Sequence, residues 1–210
     1  MAKPRIGIAL CGSYCTYDKL FSQLVLLSDK YELVPIMSET AAATDTRFGK
    51  ASDFLSRLES LCGAKPVCSI AEAEPLGPAK PMEALIIAPC TGNTMAKLNH
   101  GITDTAVTMA AKAHLRNSKP LIIAFSTNDA LSGSAPNIAG LLNRKNVYIV
   151  PFRQDDPVKK PFSAASDFSL IGATVESALA GKQLQPLLMA HRRSHGYDFC
   201  CSPEAQTMSA

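Results

Sequence analysis

The alternation of short apolar runs with amphipathic segments constrains the fold of this chain more than any other feature. Residues 6–10 and 84–88 are apolar runs, and the segment after the first run places Leu20, Leu24 and Leu27 at helical spacing. Such alternation of strand and helix is typical of a parallel, doubly wound sheet. We therefore predict an α/β fold with a single Rossmann-like sheet, a flavodoxin-like strand order and helices on both faces.

The punctuation of the sequence divides the chain into a domain and a tail. Residues 1–190 are predicted to form one domain, whereas residues 191–210 lose periodicity and are predicted to be disordered. The polar segment 38–49 is predicted to be a loop, and the segment 68–80, which Pro75, Gly77 and Pro78 interrupt, a turn-rich connection. Predicted strands lie at residues 6–10, 32–37, 84–88, 120–125 and 146–150, and predicted helices include 136–144, 166–180 and a stretch after residue 94 that breaks at Gly101.

Composition and charge exclude several classes of protein. Of the 210 residues, 47% are hydrophobic and 19% are charged, which is typical of a globular domain rather than a disordered chain. The net charge of +3 is mild and there is no Lys/Arg run, so no nucleic-acid or membrane partner is indicated. The seven cysteines include no CxxC pair and follow no secretory signal, so we expect reduced thiols, a cytoplasmic protein and no metal site.

Polar side chains gather where the predicted strands end. Ligands of open parallel sheets bind outside the carboxyl ends of the strands, at the point where the strand order reverses. Two of the loops that follow the strands lead into helices, whose free N–H groups and positive dipole ends favour a bound phosphate. Capping of the helix is the alternative role for each hydroxyl residue. The chain contains no GxGxxG and no Walker A motif, so a mononucleotide is favoured over a dinucleotide. The candidate cofactor-binding residues are Gly12, Ser13, Ser38, Thr91, Gly92, Asn93, Thr94, Ser126, Thr127 and Asn128.

Several of these loops resemble a known superfamily. Residues 88–98, Ala-Pro-Cys-Thr-Gly-Asn-Thr-Met-Ala-Lys-Leu, resemble the Pro-Ala-Ser-Ala-Asn-Thr motif of the FMN-dependent cysteine decarboxylases, which are grouped with the flavin prenyltransferases. Residues 126–129, Ser-Thr-Asn-Asp, fall where many members carry Pro-x-Met-Asn. Cys11-Gly12-Ser13 resembles the first phosphate-binding loop, and Ser38 the hydroxyl residue after the second strand. The resemblance implies an FMN site formed by these loops.

Other stretches resemble one branch of this superfamily, the B subunits of bacterial dipicolinate synthase. Similarity runs from about residue 5 to residue 188 and is most specific at residues 44–49, 73–78, 126–131, 151–157 and 183–186. The resemblance implies an oxidoreductase subunit that acts only with an A subunit, which supplies NAD(P). It further implies a small dicarboxylate substrate, dihydrodipicolinate or its hydrated tetrahydro precursor, and a homo-oligomer in the cytoplasm of the mother cell during sporulation.

The sequence departs from the decarboxylase pattern at one position. Cysteine decarboxylases carry a catalytic His before a Phe in the loop after the second strand, and here that place is taken by Arg47-Phe48. The decarboxylase interpretation therefore lacks its proton-transfer group. A guanidinium instead suits a carboxylate, so we predict that Arg47 orients the substrate, with a solvated loop charge as the alternative.

Two further interpretations of the function remain open from the sequence. The chain could be an FMN-dependent decarboxylase or prenyltransferase, a possibility that the replaced His disfavours. It could also be a non-catalytic scaffold that has lost flavin and only supports the nicotinamide-binding A subunit.

Overall fold

Seven strands form one sheet within the described residues, 2–77 and 81–190, of a computed structural model of the protein. The predicted tail, residues 191–210, lies outside the described residues. The strands are β1 (Arg5–Leu10), β2 (Glu32–Met37), β3 (Ala84–Cys90), β4 (Leu121–Thr127), β5 (Val147–Ile149), β6 (Phe152–Gln154) and β7 (Ala164–Ser166).

The first five strands confirm the predicted fold class. They are parallel and lie in the order β2-β1-β3-β4-β5, which is the flavodoxin-like order. The strand order reverses between β1 and β3, because β2 lies on one side of β1 and every later strand lies on the other. The switch point, where such sheets bind ligands, is therefore at the carboxyl ends of β1 and β3.

A two-stranded antiparallel extension departs from the predicted all-parallel sheet. β7 pairs antiparallel with the last two residues of β4, Ser126 and Thr127, and β6 pairs antiparallel with β7. In this extension Arg153 lies opposite Ala165, and Ala165 lies opposite Ser126. Neither strand was predicted from the sequence, because Phe-Arg-Gln and Ala-Ala-Ser do not form a continuous apolar run like the one that contains the equally short β5.

Helices cover both faces of the sheet, as predicted. They are α1 (Tyr17–Lys30), α2 (Glu39–Ala43), α3 (Ala51–Cys62), α4 (Ile70–Ala73), α5 (Gly92–His100), α6 (Ala106–Leu115), α7 (Ala135–Leu142) and α8 (Ile171–Leu179). The apolar sides of α1, α3 and α8 pack on one face of the sheet, in a core with Ile8 and Ile86. On the other face α5, α6 and α7 pack against residues that include Ile87 and Ile123.

Two local features decide how the loops are placed. The break predicted at Gly101 is confirmed: its φ is 72°, and its N–H closes α5 on the carbonyls of Leu98 and Lys97. The prediction of a loop over residues 38–49 was wrong in part, because the Oγ of Ser38 accepts a hydrogen bond from the N–H of Ala41 and begins the short helix α2.

Candidate functional site

The loop between β1 and α1 presents free backbone amides at the switch point. Ser13 has a left-handed backbone, with φ 66° and ψ 43°, and its Oγ donates to the carbonyl of Ser126 at 2.9 Å. No hydrogen bond within the described part of the chain takes the N–H of Gly12, Ser13 or Tyr14. Successive free amides around a left-handed residue form a concavity that suits an anion. This loop is the part of the predicted site best able to hold a phosphate.

The loop between β3 and α5 uses its hydroxyl groups internally. The Oγ1 of Thr91 accepts from the N–H of Thr94 at 3.2 Å, so Thr91 is the N-cap of α5. The two threonine hydroxyls lie 3.0 Å apart, and the Thr94 hydroxyl also donates to the Sγ of Cys11 at 3.4 Å. Helix capping, the alternative role for these residues, is therefore what Thr91 does in this structure.

The carboxylate of Asp129 links the loops that follow β3 and β4. Its Oδ1 accepts from the hydroxyls of Thr127, at 2.5 Å, and Ser134, at 2.8 Å. These hydrogen bonds, that of Thr127 first, lower the pKa of Asp129. Gly92 lies against the cluster, because a Cβ at residue 92 would meet the Ser134 Oγ at 2.5 Å. Asp129 was not predicted as a site residue, although it stands in the motif at residues 126–129.

The remaining candidate residues lie at the margins of the site. Ser38 is buried, and its hydroxyl caps α2. Asn93 and Asn128 are exposed. The Oδ1 of Asn128 accepts from the Oγ of Ser163, which lies 3.5 Å away on the loop before β7.

At the carboxyl edge of the sheet, the candidate residues divide between its two faces, the α1 side and the α5 side. Consecutive side chains of a strand point to opposite faces. On β4, Ser126 follows Ala124 on the α1 side, whereas Thr127 follows Phe125 on the α5 side. The hydroxyls on the α5 side bond to one another and to the Asp129 carboxylate. The α1 side keeps the free amides of the first loop.

A cavity of about 560 Å³ opens on the α1 side, between α1 and the β6–β7 extension. We call it the α1–β6 cavity. One wall is formed by Lys19 on α1 and by Thr16, the residue before that helix. The other wall is formed by Arg153, Ala165 and Asp167, on or next to the β6–β7 extension. It adjoins the first loop, because Ala165 lies opposite Ser126, whose carbonyl accepts from Ser13.

The ion pair between Arg153 and Asp167 is the most buried charged group of the cavity. Both side chains are only 14% exposed, and the Nη2 of Arg153 bonds to the Oδ2 of Asp167. The sulfur of Met189 also lies 3.5 Å from this nitrogen. A largely buried cation held by a carboxylate has a fixed orientation, which is what the recognition of a planar anion requires.

The cysteines at this edge are not nucleophiles. Burial raises the pKa of the Cys11 thiol to about 11, and burial raises that of Cys90 well above its ordinary value. Because only a thiolate attacks efficiently, both groups are unreactive at neutral pH.

Arg47 lies apart from this cavity. Its side chain is exposed, with the guanidinium carbon 4.8 Å from the ring centre of Phe48, and it is not among the residues that line the α1–β6 cavity. Its role in binding substrate stays a prediction. Within residues 2–77 and 81–190, no cluster of three His, Cys, Asp or Glu side chains could hold a metal ion, and no helix has the length and apolar character needed to cross a membrane.

Comparison with known proteins identifies the family. The family model described as Flavoprotein matches residues 1–157, which is most of the chain. The chain belongs to the Flavoprotein family. One relative is the B subunit of dipicolinate synthase from Bacillus subtilis (strain 168), to which the chain is 44% identical over 186 residues. The match covers 88% of this chain and 93% of that relative. The resemblance inferred from the sequence is thereby confirmed.

Solved structures agree with this family assignment. The crystal structure of the dipicolinate synthase B subunit from Bacillus halodurans matches with a TM-score of 0.83 and 38% identity, over 91% of this chain and 98% of that one. The FMN-dependent cysteine decarboxylase SpaF matches with a TM-score of 0.62 and 21% identity, over 84% of this chain and 98% of that one. The second likeness is one of fold alone.

Proposed function

We propose that this chain is the B subunit of a dipicolinate synthase. It acts with an A subunit that supplies NAD(P), in the mother cell of a sporulating bacterium, and takes part in the oxidation of dihydrodipicolinate or its hydrated tetrahydro precursor. The observation that carries the proposal is the likeness to the Bacillus subtilis B subunit over nearly the full length of both chains. In this proposal residues 1–190 form the functional domain and several copies assemble.

The proposed reaction defines what the site must provide. Oxidation of dihydrodipicolinate to dipicolinate removes one hydride and one proton, and the hydrated precursor also loses water. Bound FMN would supply a two-electron acceptor for the hydride. The chain itself must hold two substrate carboxylates, exclude water and keep the ring next to the acceptor. Its cavity with a fixed cation beside a loop of free amides supports such a role.

The first loop fits the phosphate of FMN. The amides of Gly12, Ser13 and Tyr14 would donate to it, and the left-handed backbone of Ser13 turns them to one side. The loop from Thr91 to Thr94 fits less well, because its hydroxyls already bond to one another. We therefore place the phosphate on the α1 side of the sheet edge.

A scaffold subunit without flavin is the second candidate function. The internal bonding of the Thr91–Thr94 loop favours it, because hydroxyls that bond to one another offer fewer hydrogen bonds to a flavin. The decarboxylase alternative is weaker, because Arg47 stands where that reaction needs its His. Release of CO2 from a peptide with a carboxyl-terminal cysteine would support the decarboxylase and contradict our proposal.

Titration of FMN with the purified full chain tests the flavin part. We expect the flavin fluorescence to be quenched, and we expect Gly12→Val to weaken binding about tenfold or more, by placing a branched side chain where even a Cβ lies 3.3 Å from Thr91 Cγ2. Gly172→Ala is the matched control, because the nearest atom to its Cβ is 4.0 Å away and far from the loop. A chain that stays colourless after soaking with FMN would contradict the flavin site and favour the scaffold.

A further inference from the structure

The α1–β6 cavity has the size and position of a small-molecule site, and none of the candidate FMN-binding residues named from the sequence lines it. Its volume of about 560 Å³ falls within the range of about 300–1,000 Å³ that is typical of such sites. It lies at the carboxyl edge of the sheet, where Gln154 and Ala164 stand level with Thr127, the last residue of β4. The β6–β7 wall therefore lies at the edge where a parallel sheet binds its ligands, and α1 begins at the same edge, after the carboxyl end of β1.

One wall carries a guanidinium that is only partly used. The contacts of Arg153 to Asp167 and Met189 all leave from Nη2. A guanidinium has five N–H donors in a rigid fork, and among the described residues the donors on Nη1 and Nε have no partner. Asp167 thus holds the group in place while leaving donors for a second carboxylate.

The other wall supplies a second cation. Lys19 lies in the first turn of α1 and lines the cavity, and no carboxylate within residues 2–77 and 81–190 pairs with it. The cavity also contains Asp155, whose carboxylate faces the Nζ of Lys160 at 3.8 Å. Two separated cations with unused donors match a ligand that carries two carboxylates.

We propose that the α1–β6 cavity binds a small planar dicarboxylate, with Arg153 taking one carboxylate in a bidentate contact and Lys19 taking the other. This assignment rests on the proposed function for the identity of the ligand, which is dihydrodipicolinate as substrate and dipicolinate as product. It moves the main carboxylate contact from the exposed loop of Arg47 to the largely buried guanidinium of Arg153 on β6. The oxidisable ring then lies on the same side of the sheet as the free amides of the first loop.

Calorimetric titration of the full chain with dipicolinate tests this assignment. We expect Arg153→Lys, which keeps the charge beside Asp167 but removes the fork, to weaken binding about tenfold or more. Lys19→Gln, at the cavity rim, is expected to weaken it several-fold without disturbing the buried ion pair. Lys112→Gln is the matched control, because Lys112 is exposed on α6, on the opposite face of the sheet. Pyridine-2-carboxylate, with one carboxylate, should bind more weakly and lose its dependence on one of the two cations.

The outcomes separate this assignment from the proposed function. Absence of dipicolinate binding at millimolar concentration, or equal affinity of Arg153→Lys, Lys19→Gln and the unaltered chain, would overturn the cavity assignment. A loss confined to Arg47→Lys would also overturn it and place the contact in the loop of residues 46–49. If Arg153→Lys fails to fold, Lys19→Gln still decides. Dipicolinate binding with the expected pattern but without FMN binding would leave the cavity assignment standing and contradict only the flavin part of the proposed function.

Discussion

Replacement of Gly92 by alanine tests the packing between the loops that follow β3 and β4. A Cβ at residue 92 would lie 2.5 Å from the Oγ of Ser134, 3.0 Å from the Oγ1 of Thr127 and 3.1 Å from the Oδ1 of Asp129. Real Cβ atoms do not approach other heavy atoms to 2.5 Å, so Ser134 must move. Its movement breaks the 2.8 Å hydrogen bond to Asp129.

The magnitude follows from three contributions. Overpacking costs about 1–3 kcal/mol, and the lost hydrogen bond costs about 0.5–1.5 kcal/mol. Replacing glycine in a helix by alanine offsets up to about 1 kcal/mol of this. We therefore expect Gly92→Ala to lower the free energy of unfolding by about 0.5–4.5 kcal/mol. Gly172→Ala is the matched control, since it also lies in a first helical turn, and we expect it to raise that free energy by up to about 1 kcal/mol.

Urea unfolding followed by circular dichroism measures both variants. Opposite shifts of the unfolding midpoint with an unchanged m value would agree with the structure, because the difference between the variants is then one of native-state packing. If Gly92→Ala is as stable as Gly172→Ala, the two loops are not packed against each other at Gly92, and the link through Asp129 is refuted.

Three further predictions concern stability and reactivity. Burial lowers the pKa of His114, so its neutral form is favoured in the folded state. The free energy of unfolding should therefore fall as the pH drops below about 6.5, the ordinary pKa of histidine, toward the lower pKa of the folded state. Urea unfolding midpoints between pH 5 and 8 measure this dependence. Glu39→Gln should lower the free energy of unfolding by about 0.3–1 kcal/mol, because the Glu39 carboxylate accepts from the N–H of Ala106, at the start of α6, at 3.0 and 3.2 Å. Exposed Cys15 should be alkylated much faster than buried Cys11 in the native protein, as peptide mass spectrometry would show.

Each of these predictions has its own control. A His114→Gln variant should show a flatter pH dependence, and an equally steep one would show that other groups cause it. Glu59→Gln, at an exposed position of α3, should leave stability nearly unchanged, so an equal loss in both glutamate variants would contradict the contact with α6. Equal labelling rates of Cys11 and Cys15 would mean that the switch point opens readily.

The sequence was sufficient for the central strands and for the edge that carries the site. Strands such as β3 are buried on both faces, so they appear as continuous apolar runs that stand out from the helices. The fold class in turn indicated where the loops meet. The hydrogen bond between Ser13 and Ser126, which are 113 residues apart, joins two loops that were both predicted to lie there.

The arrangement of the site could not be obtained in the same way. β6 and β7 have three residues each and lack the apolar run that revealed the equally short β5. The β6–β7 wall of the α1–β6 cavity exists only because these two strands pair beside β4. Whether a threonine caps its helix or faces a ligand depends on local geometry that composition does not encode. One signal was available: Ser126 and Thr127 are consecutive, so a strand that includes both must direct them to opposite faces.

The rate of dipicolinate formation tests the central claim most directly. An A subunit held at constant concentration with NAD(P) and substrate is titrated with the full chain, and the initial rate is measured. We expect a rate that rises with added chain and saturates at a fixed ratio of the two proteins. A maximal rate from the A subunit alone, unchanged by any amount of this chain, would contradict the claim that the chain takes part in the oxidation.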